Sequence, residues 1–442
     1  MIRIIATIFF LLMIGSFVQA QDSTSLPSKW SLQQCIDYAK KNNIQVNSLR
    51  LSEQTAEQEV LLAKAQRLPG VSGTASASLT NSKNANPVVG GFQTQANFTN
   101  NFGLSSSWII YNGGYLTDVI KQNQLSVQSA NLDILQQENN ITLQITQAYL
   151  NILLAKENVL YLQDLLTTSQ AQINQAQQQY NAGSIAKISL IELQAQLAND
   201  KYNLVTAQNT QRQNALTLKQ LLLLPTGTQF DIVVPDTLMA SALTASLEEA
   251  QKAALQTRPE VKISQLGVQS AQLDLAKARS GYYPIASVGA ILATGYSDNQ
   301  DFSYLKQLDN NFYQQIGLTL NIPIFTKRVN KTNVENAKIE IAQSQLTLTN
   351  TKTVLSQQVE QAYINVLNAQ AQYDAAVEQL NSSRESLRII NEELKVGAVN
   401  TVDYLTQKNL YVQSLQNYIQ AKYSTALNIR IYEFYMGEPV KL

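Results

Sequence analysis

Catalysis needs bases, nucleophiles or metal ligands, and this chain of 442 residues offers few: it has no histidine and a single cysteine. The commonest general base and metal ligand is therefore missing, and one thiol cannot build a thiolate cluster or an intrachain disulfide. Cys35 sits in a helical pattern and reads as a small buried thiol. Carboxylates remain, which could act as acids, bases or cation ligands. The adjacent pairs Glu248-Glu249 and Glu392-Glu393 point apart on a helix and read as solvated rather than catalytic. Glycine-rich phosphate loops are absent. No enzymatic activity, cofactor or resident metal is expected. The remaining candidates are acidic residues beside two isolated glycines: Glu192, nine positions after Gly183, and Asp403, six after Gly397.

The elements around those glycines are unusually long. Residues 115–182 contain neither proline nor glycine, and after Gly183 the chain again runs without either to Leu224. Such runs predict a long helix over 115–182, roughly 100 Å at about 1.5 Å per residue, and a return helix over 184–224. Steps of three and four from Val127 through Ile134, Ile141, Ile145, Ile152, Val159, Leu166 and Ile173 to Tyr180 trace a heptad-like stripe with one stutter; only Gln137 and Ser169 on it are polar. A second seam holds Leu143, Leu150, Leu154, Tyr161 and Leu165. Two seams suit a helix with two neighbours, as in a wall of helices, although a rod-like coiled coil is also open.

Upstream, residues 31–68 predict a helix stopped by Pro69-Gly70. The period then becomes two. Strands are expected over 71–82 and 92–111, separated by a turn containing Asn86-Pro87 and Gly90-Gly91. Val71, Gly73, Ala75, Ala77 and Leu79 share one face, as do Phe98, Phe102, Leu104, Trp108 and Ile110 on the second strand, and serines, threonines and asparagines take the other. No charge occurs over 68–82 or 92–112. Uncharged strands with one apolar and one polar face are what a lipid-facing, water-lined barrel wall requires, and a soluble sheet with one buried face shows the same alternation.

The whole arrangement occurs twice. SLQQ from Ser31 falls on SLEE from Ser246, and Pro69 on Pro284, 215 positions later. Past the strands the offset becomes 214: QAYLN (147–151) falls on QAYIN (361–365), and Gly183 on Gly397. This is a tandem duplication. The second copy predicts a helix over 246–281, strands over 285–297 and 311–325, a long helix over 328–396 and a return helix over 398–436. Residues 298–310 read as an exposed loop, and 225–245 as an irregular linker beside the helices. Pro69, Pro284, Gly113-Gly114 and Lys327-Arg328 occupy the four strand–helix junctions.

Residues 1–20 combine Arg3, an apolar stretch and small residues ending at Ala20, the pattern of a secretory signal cleaved before Gln21. Gln21 is not a lipoprotein cysteine. No later stretch approaches 18 uninterrupted apolar residues, so membrane entry would have to be by strands. Four strands cannot close a barrel, so several chains would have to contribute. Formal net charge is zero and charged residues are 14% of the chain, which gives nucleic acid nothing to bind.

The duplicated layout, the strand-to-helix motifs IIYNGG (109–114) and PIFTKR (323–328), the QAYLN/QAYIN pair and the turn motifs YNAGSIAKISLIELQAQ (180–196) and LKVGAVNTVDYLTQKN (394–409) resemble the TolC family of outer membrane factors. That resemblance implies a mainly helical protein with membrane β-structure, in which a homotrimer forms a 12-stranded transmembrane barrel continuous with a 12-helix periplasmic barrel. It further implies the exit duct of a tripartite efflux pump or type I secretion system, docked through its tips to a periplasmic adaptor and so, indirectly, to an inner-membrane transporter. Gly183 and Gly397 would be the tips. The competing expectation is a periplasmic structural or adaptor coiled coil with a soluble sheet.

Members of that family close the tip with a tyrosine, an arginine and an aspartate, and line it with two acidic rings. Counted from the glycines, this sequence has Leu394 in place of the tyrosine, Val399 in place of the arginine and Ser189 in place of the aspartate. Asp403 keeps one acidic ring and Thr406 replaces the other. The polar lock is therefore largely missing, and Asp403 with Glu192 is expected to make a cation-favouring constriction.

Overall fold

The structure is a computed structural model, and it describes residues 27–85, 90–235 and 245–440. The expected signal segment 1–20, the Asn86-Pro87 turn and residues 236–244 of the linker lie outside the described residues.

The chain runs β1 (Lys29–Trp30), α1 (Leu32–Asn42), α2 (Ile44–Ala65), β2 (Gly70–Ala85), β3 (Phe92–Tyr111), α3 (Tyr115–Asn181) and α4 (Lys187–Leu221) through the first repeat. The second follows as β4 (Asp231–Ile232), α5 (Leu247–Thr257), α6 (Pro259–Ser280), β5 (Ile285–Ser297), α7 (Tyr304–Asn310), β6 (Tyr313–Asn321), α8 (Val329–Lys395) and α9 (Thr401–Tyr435). Each long helix has 67 residues. Among the described residues, no helix is long and apolar enough to cross a membrane.

Where the pattern predicts one helix over 31–68 and another over 246–281, the chain forms two in each place. The breaks fall at Asn43 and Arg258, 215 positions apart, both in extended backbone. Asn43 accepts hydrogen bonds on its side chain from the backbone N–H of Gln45 and Val46, at 2.8 and 3.2 Å, so it caps a new helix. Arg258 precedes Pro259, which disfavours helical geometry in the residue before it and is well placed at the first position of α6. Strand β6 ends at Asn321, short of the expected 325, because Pro323 has no N–H for a ladder. The expected loop 298–310 contains α7, and the two-residue parallel pair β1–β4 was not anticipated.

Four strands form one antiparallel sheet in the order β2-β3-β5-β6. Its register places Val71 opposite Ser106, Ala75 opposite Phe102, Phe102 opposite Thr294, Leu104 opposite Leu292, Trp108 opposite Val288 and Val288 opposite Leu318. Partners in a ladder point to the same side, so the apolar sets of all four strands share a single face. That face is open: Val71, Phe102, Leu104, Trp108, Ile316, Leu318 and Leu320 are all exposed. The outer edges of β2 and β6 have no strand partner among the described residues.

The strands pass directly into the long helices. Gly113 and Gly114 at one junction have φ of 68° and 87°; Lys327 and Arg328, 214 positions on, have 49° and 71°. Both repeats thus turn through the same left-handed pair, with glycine supplying it without strain in only one. Helix α3 packs against α2 and α6 near the sheet, and against α4 and α9 farther away. Between these halves, α1, β1 and β4 wrap α3 around a core of Trp30, Cys35, Ile36, Ile145, Tyr149, Leu153 and Ile232. Tyr149, from QAYLN, sends its hydroxyl to the backbone oxygen of Val233 at 2.6 Å and that of Trp30 at 3.1 Å, and Lys156 reaches Asp231 at 2.5 Å. Burial alone would raise the Asp231 carboxyl, but the Lys156 ammonium and the Ile232 N–H together hold it below its ordinary value.

Candidate functional site

Each long helix ends in a glycine reversal. The Gly183 N–H donates to Tyr180 O and the Ser184 N–H to Gln179 O, both at 2.9 Å; Gly397 and Ala398 bond Leu394 O and Glu393 O at 3.1 and 2.9 Å. With φ of 74° and 76°, both glycines complete the same left-handed C-cap. The two turns lie side by side, and a cleft of about 410 Å³ opens between them.

Of the residues expected to form a gate, Ser189, Leu394 and Val399 line this cleft, together with Gly397 of the expected tip. Leu394 packs at the edge of a cluster with Ile173, Ala176, Leu190, Leu193, Leu387, Ile390 and Tyr404, contributed by all four helices of the two hairpins. Apolar contact therefore replaces a polar bond at Leu394, while Ser189 and Val399 line the cleft. The structure does not bring Asp403, Thr406 or Glu192 into the cleft. Asp403 is exposed in the first turn of α9, its N–H capped by Asn400 Oδ1 at 2.9 Å. Thr406 donates its hydroxyl to Val402 O at 2.9 Å, and Glu192 is half-buried on α4. No group of three or more histidine, cysteine, aspartate or glutamate residues among those described could hold a metal ion.

Sequence reasoning missed a buried polar cluster above the cleft. Lys408 of α9 donates to Ser169 Oγ of α3 at 2.6 Å and to Asp200 Oδ2 of α4 at 3.0 Å. Both charged side chains are 2% exposed. Ser169 also lies 2.5 Å from Asp200 Oδ2, and Gln196 donates to Oδ1 at 2.8 Å. One turn toward the tip, Gln172 of α3 hydrogen-bonds the Tyr404 hydroxyl of α9, a phenol that burial pushes above its ordinary range. Farther up, Lys422 of α9 pairs with Glu157 of α3 at 2.9 Å. One face of α9 thus reaches across to the other hairpin at Tyr404, Lys408 and Lys422.

A signal for this cluster existed. Ser169 is one of two polar breaks in the apolar stripe of α3. At the 214 offset, Asp200 falls on Ser414 and Lys408 on Gln194, so each repeat carries one charge where the other carries a neutral residue. In the second repeat Ser383 hydrogen-bonds Ser414 instead.

Comparison with known proteins bears on what this geometry is for. The family described as "Outer membrane efflux protein" matches residues 35–222 and 250–430. Outer membrane efflux protein BepC of Brucella suis is 21% identical over 389 residues, spanning 88% of this chain and 81% of that protein. Outer membrane protein TolC of Vibrio cholerae is 23% identical over 420 residues, spanning 93% and 92%. The crystal structure of CusC superposes with a TM-score of 0.78 at 20% identity, covering 92% of this chain and 91% of that one. At that identity the superposition speaks for the fold alone.

Proposed function

Since this chain belongs to the outer membrane efflux protein family, we propose that it works as one third of a continuous duct. It is an efflux channel of the outer membrane of a Gram-negative bacterium that projects into the periplasm and passes substrates outward. In the proposed form, three four-stranded sheets join edge to edge into a 12-stranded barrel, and the helices continue it as a 12-helix barrel. The duct is passive and catalyses no reaction.

The observation carrying this reading is the single exposed apolar face shared by four strands whose one charge is Lys83 near the end of β2, with two bare edges and helices leading away from it. Bare edges in lipid leave backbone groups unpaired, so the sheet has to close with further copies. A soluble adaptor with a buried sheet face fits poorly, because Val71, Leu104, Trp108, Leu318 and Leu320 of that face stay exposed and only its upper end meets α7.

The tips at Gly183 and Gly397 are the docking surface for a periplasmic adaptor, which links the duct to an inner-membrane transporter. The cleft between them, lined by Ser189, Leu394 and Val399, takes the gate position, with the apolar cluster around Leu394 at its edge. Asp403 and Glu192 line the constriction nearby, where threefold repetition concentrates negative charge and favours cations.

Purified protein in mild detergent, followed by planar-bilayer recording, tests both parts. A trimer forming ion channels is expected, with Asp403→Asn weakening cation preference and block by divalent ions. Recovery as a monomer from the soluble periplasmic fraction would overturn the duct. Unchanged selectivity in Asp403→Asn would overturn only the constriction.

A further inference from the structure

Between β5 and β6 lies a segment that conduction does not require. Tyr313, the first residue of β6, pairs with Ala293, so β5 continues for four more residues, 294–297, beyond its partner. Helix α7 occupies the place where β6 would otherwise continue. Asn311 donates its side-chain N–H to Gly295 O at 2.8 Å, and the Ser297 N–H donates to Gln307 Oε1 at 2.9 Å. The Thr294 hydroxyl donates to Leu308 O at 2.5 Å. Gln307 is fully buried and also donates to Phe302 O at 2.8 Å. The upper edge of β5 is thus satisfied by side chains of a helix rather than by a strand, which removes a bare edge.

The helix leans to a particular side. The Asn100 side-chain N–H donates to the Tyr304 hydroxyl at 3.2 Å, and the Tyr304 ring stands 5.0 Å from that of Tyr296. Asn100, Tyr296 and Thr294 all belong to the apolar face, through the pairs Asn100–Tyr296 and Phe102–Thr294. Leu305 remains 76% exposed, Phe302 58% and Phe312 56%. Phe312 closes one end of a shallow groove on the same face, floored by Gly73 and Ala75 and flanked by Phe102, Leu104 and Leu292.

The height also fits. Eight residues separate Val288, opposite Trp108, from Tyr296; at about 3.3 Å each and a tilt near 40°, that is about 20 Å along the membrane normal. The apolar band of such barrels is about 25 Å tall. Helix α7 therefore stands where acyl chains give way to headgroups, the depth at which short amphipathic helices settle.

We propose that α7, with Phe302, Leu305 and Phe312, is a lipid-seated collar whose partner is the acyl region of outer-leaflet lipid. Its apolar surface is continuous with the lipid-facing wall, and the groove ending at Phe312 accepts an acyl chain beside it. The collar holds the sheet's upper edge at the membrane surface while Gln307 and Asn311 hold the helix to β5. It rests on the membrane reading of the sheet.

Because Cys35 is buried, a nitroxide can be placed on single cysteines elsewhere. The assembled channel would carry it at Leu305→Cys, at Leu318→Cys on the outward face of β6, and at Gln300→Cys on the polar side. In lipid vesicles, relaxation by dissolved oxygen is compared with relaxation by a water-soluble nickel chelate. The collar predicts that positions 305 and 318 favour oxygen several-fold and that 300 favours nickel. If 318 favours oxygen while 305 favours nickel, or while 305 is shielded from both reagents by a neighbouring subunit, the collar is overturned and the barrel stands. If 318 itself favours nickel, the membrane reading falls and takes the collar with it.

Discussion

Lys408 Nζ and Asp200 Oδ2 meet at 3.0 Å inside the helical region, although the residues lie 208 positions apart on return helices of different repeats. Both side chains are 2% exposed, with Ser169 accepting a second N–H of Lys408 and Gln196 donating to the other oxygen of Asp200. A buried pair need not outperform an apolar one, but a single buried charge is costly. Lys408→Met should therefore destabilise the protein by about 3–5 kcal/mol. Lys408→Gln combined with Asp200→Ser, copying Gln194 and Ser414 of the opposite repeats, should recover most of that loss. Chemical denaturation of the solubilised protein, followed by circular dichroism, measures both.

Cys35 offers a pH test. Burial pushes its thiol from 9.0 up to about 12. A group whose folded value is raised contributes stability that is complete below the unfolded value and is lost as pH climbs through the folded one. Folding stability should thus fall between about pH 9 and about pH 12, and Cys35→Ala should flatten the cysteine's share of that slope. At neutral pH the native thiol should resist thiol-reactive dyes and react fully after denaturation.

The strand–helix junctions should respond in opposite directions. A Cβ on Gly113 would stand 2.9 Å from that of Tyr283 and 3.0 Å from Ser280 O, at a φ of +68°. Gly113→Ala is expected to cost about 1–3 kcal/mol. Lys327, at the matching position with φ of 49°, should gain up to about 1 kcal/mol as Lys327→Gly, the relief of left-handed strain exceeding the added chain entropy. Paired melting curves decide the sign of each.

At the equator, Tyr149→Phe keeps the ring and deletes the hydroxyl that binds Val233 O and Trp30 O. The loss should be about 1–2 kcal/mol. Hydrogen exchange should rise locally at the Val233 N–H, which donates to Trp30 O at 2.9 Å, while the long helices stay protected. Uniformly faster exchange would show that Tyr149 supports the whole fold rather than the β1–β4 belt.

Much of this protein is written in periodicity. The apolar stripe from Val127 to Tyr180, the alternation from Val71 to Leu79 and the repeat offset each need only neighbours along the chain, so they determined the elements and which face of each is apolar. The breaks at Asn43 and Arg258 escaped that reading, since the apolar pattern runs on through both while the Asn43 cap and Pro259 start new helices. Other features depend on which elements become neighbours in space. Asp200 and Lys408 look like ordinary charges on solvated helix faces until α4 and α9 are set against α3. Helix α7 looks like a polar loop until Gln307 and Asn311 find the unpaired edge of β5. Ser189, Leu394 and Val399 share a cleft, and Asp403 lies outside it, only because two glycine turns come to rest side by side. Local pattern determines what each element can bury; only tertiary structure decides what it is buried against, because burial energy is non-directional and the partners lie hundreds of residues apart.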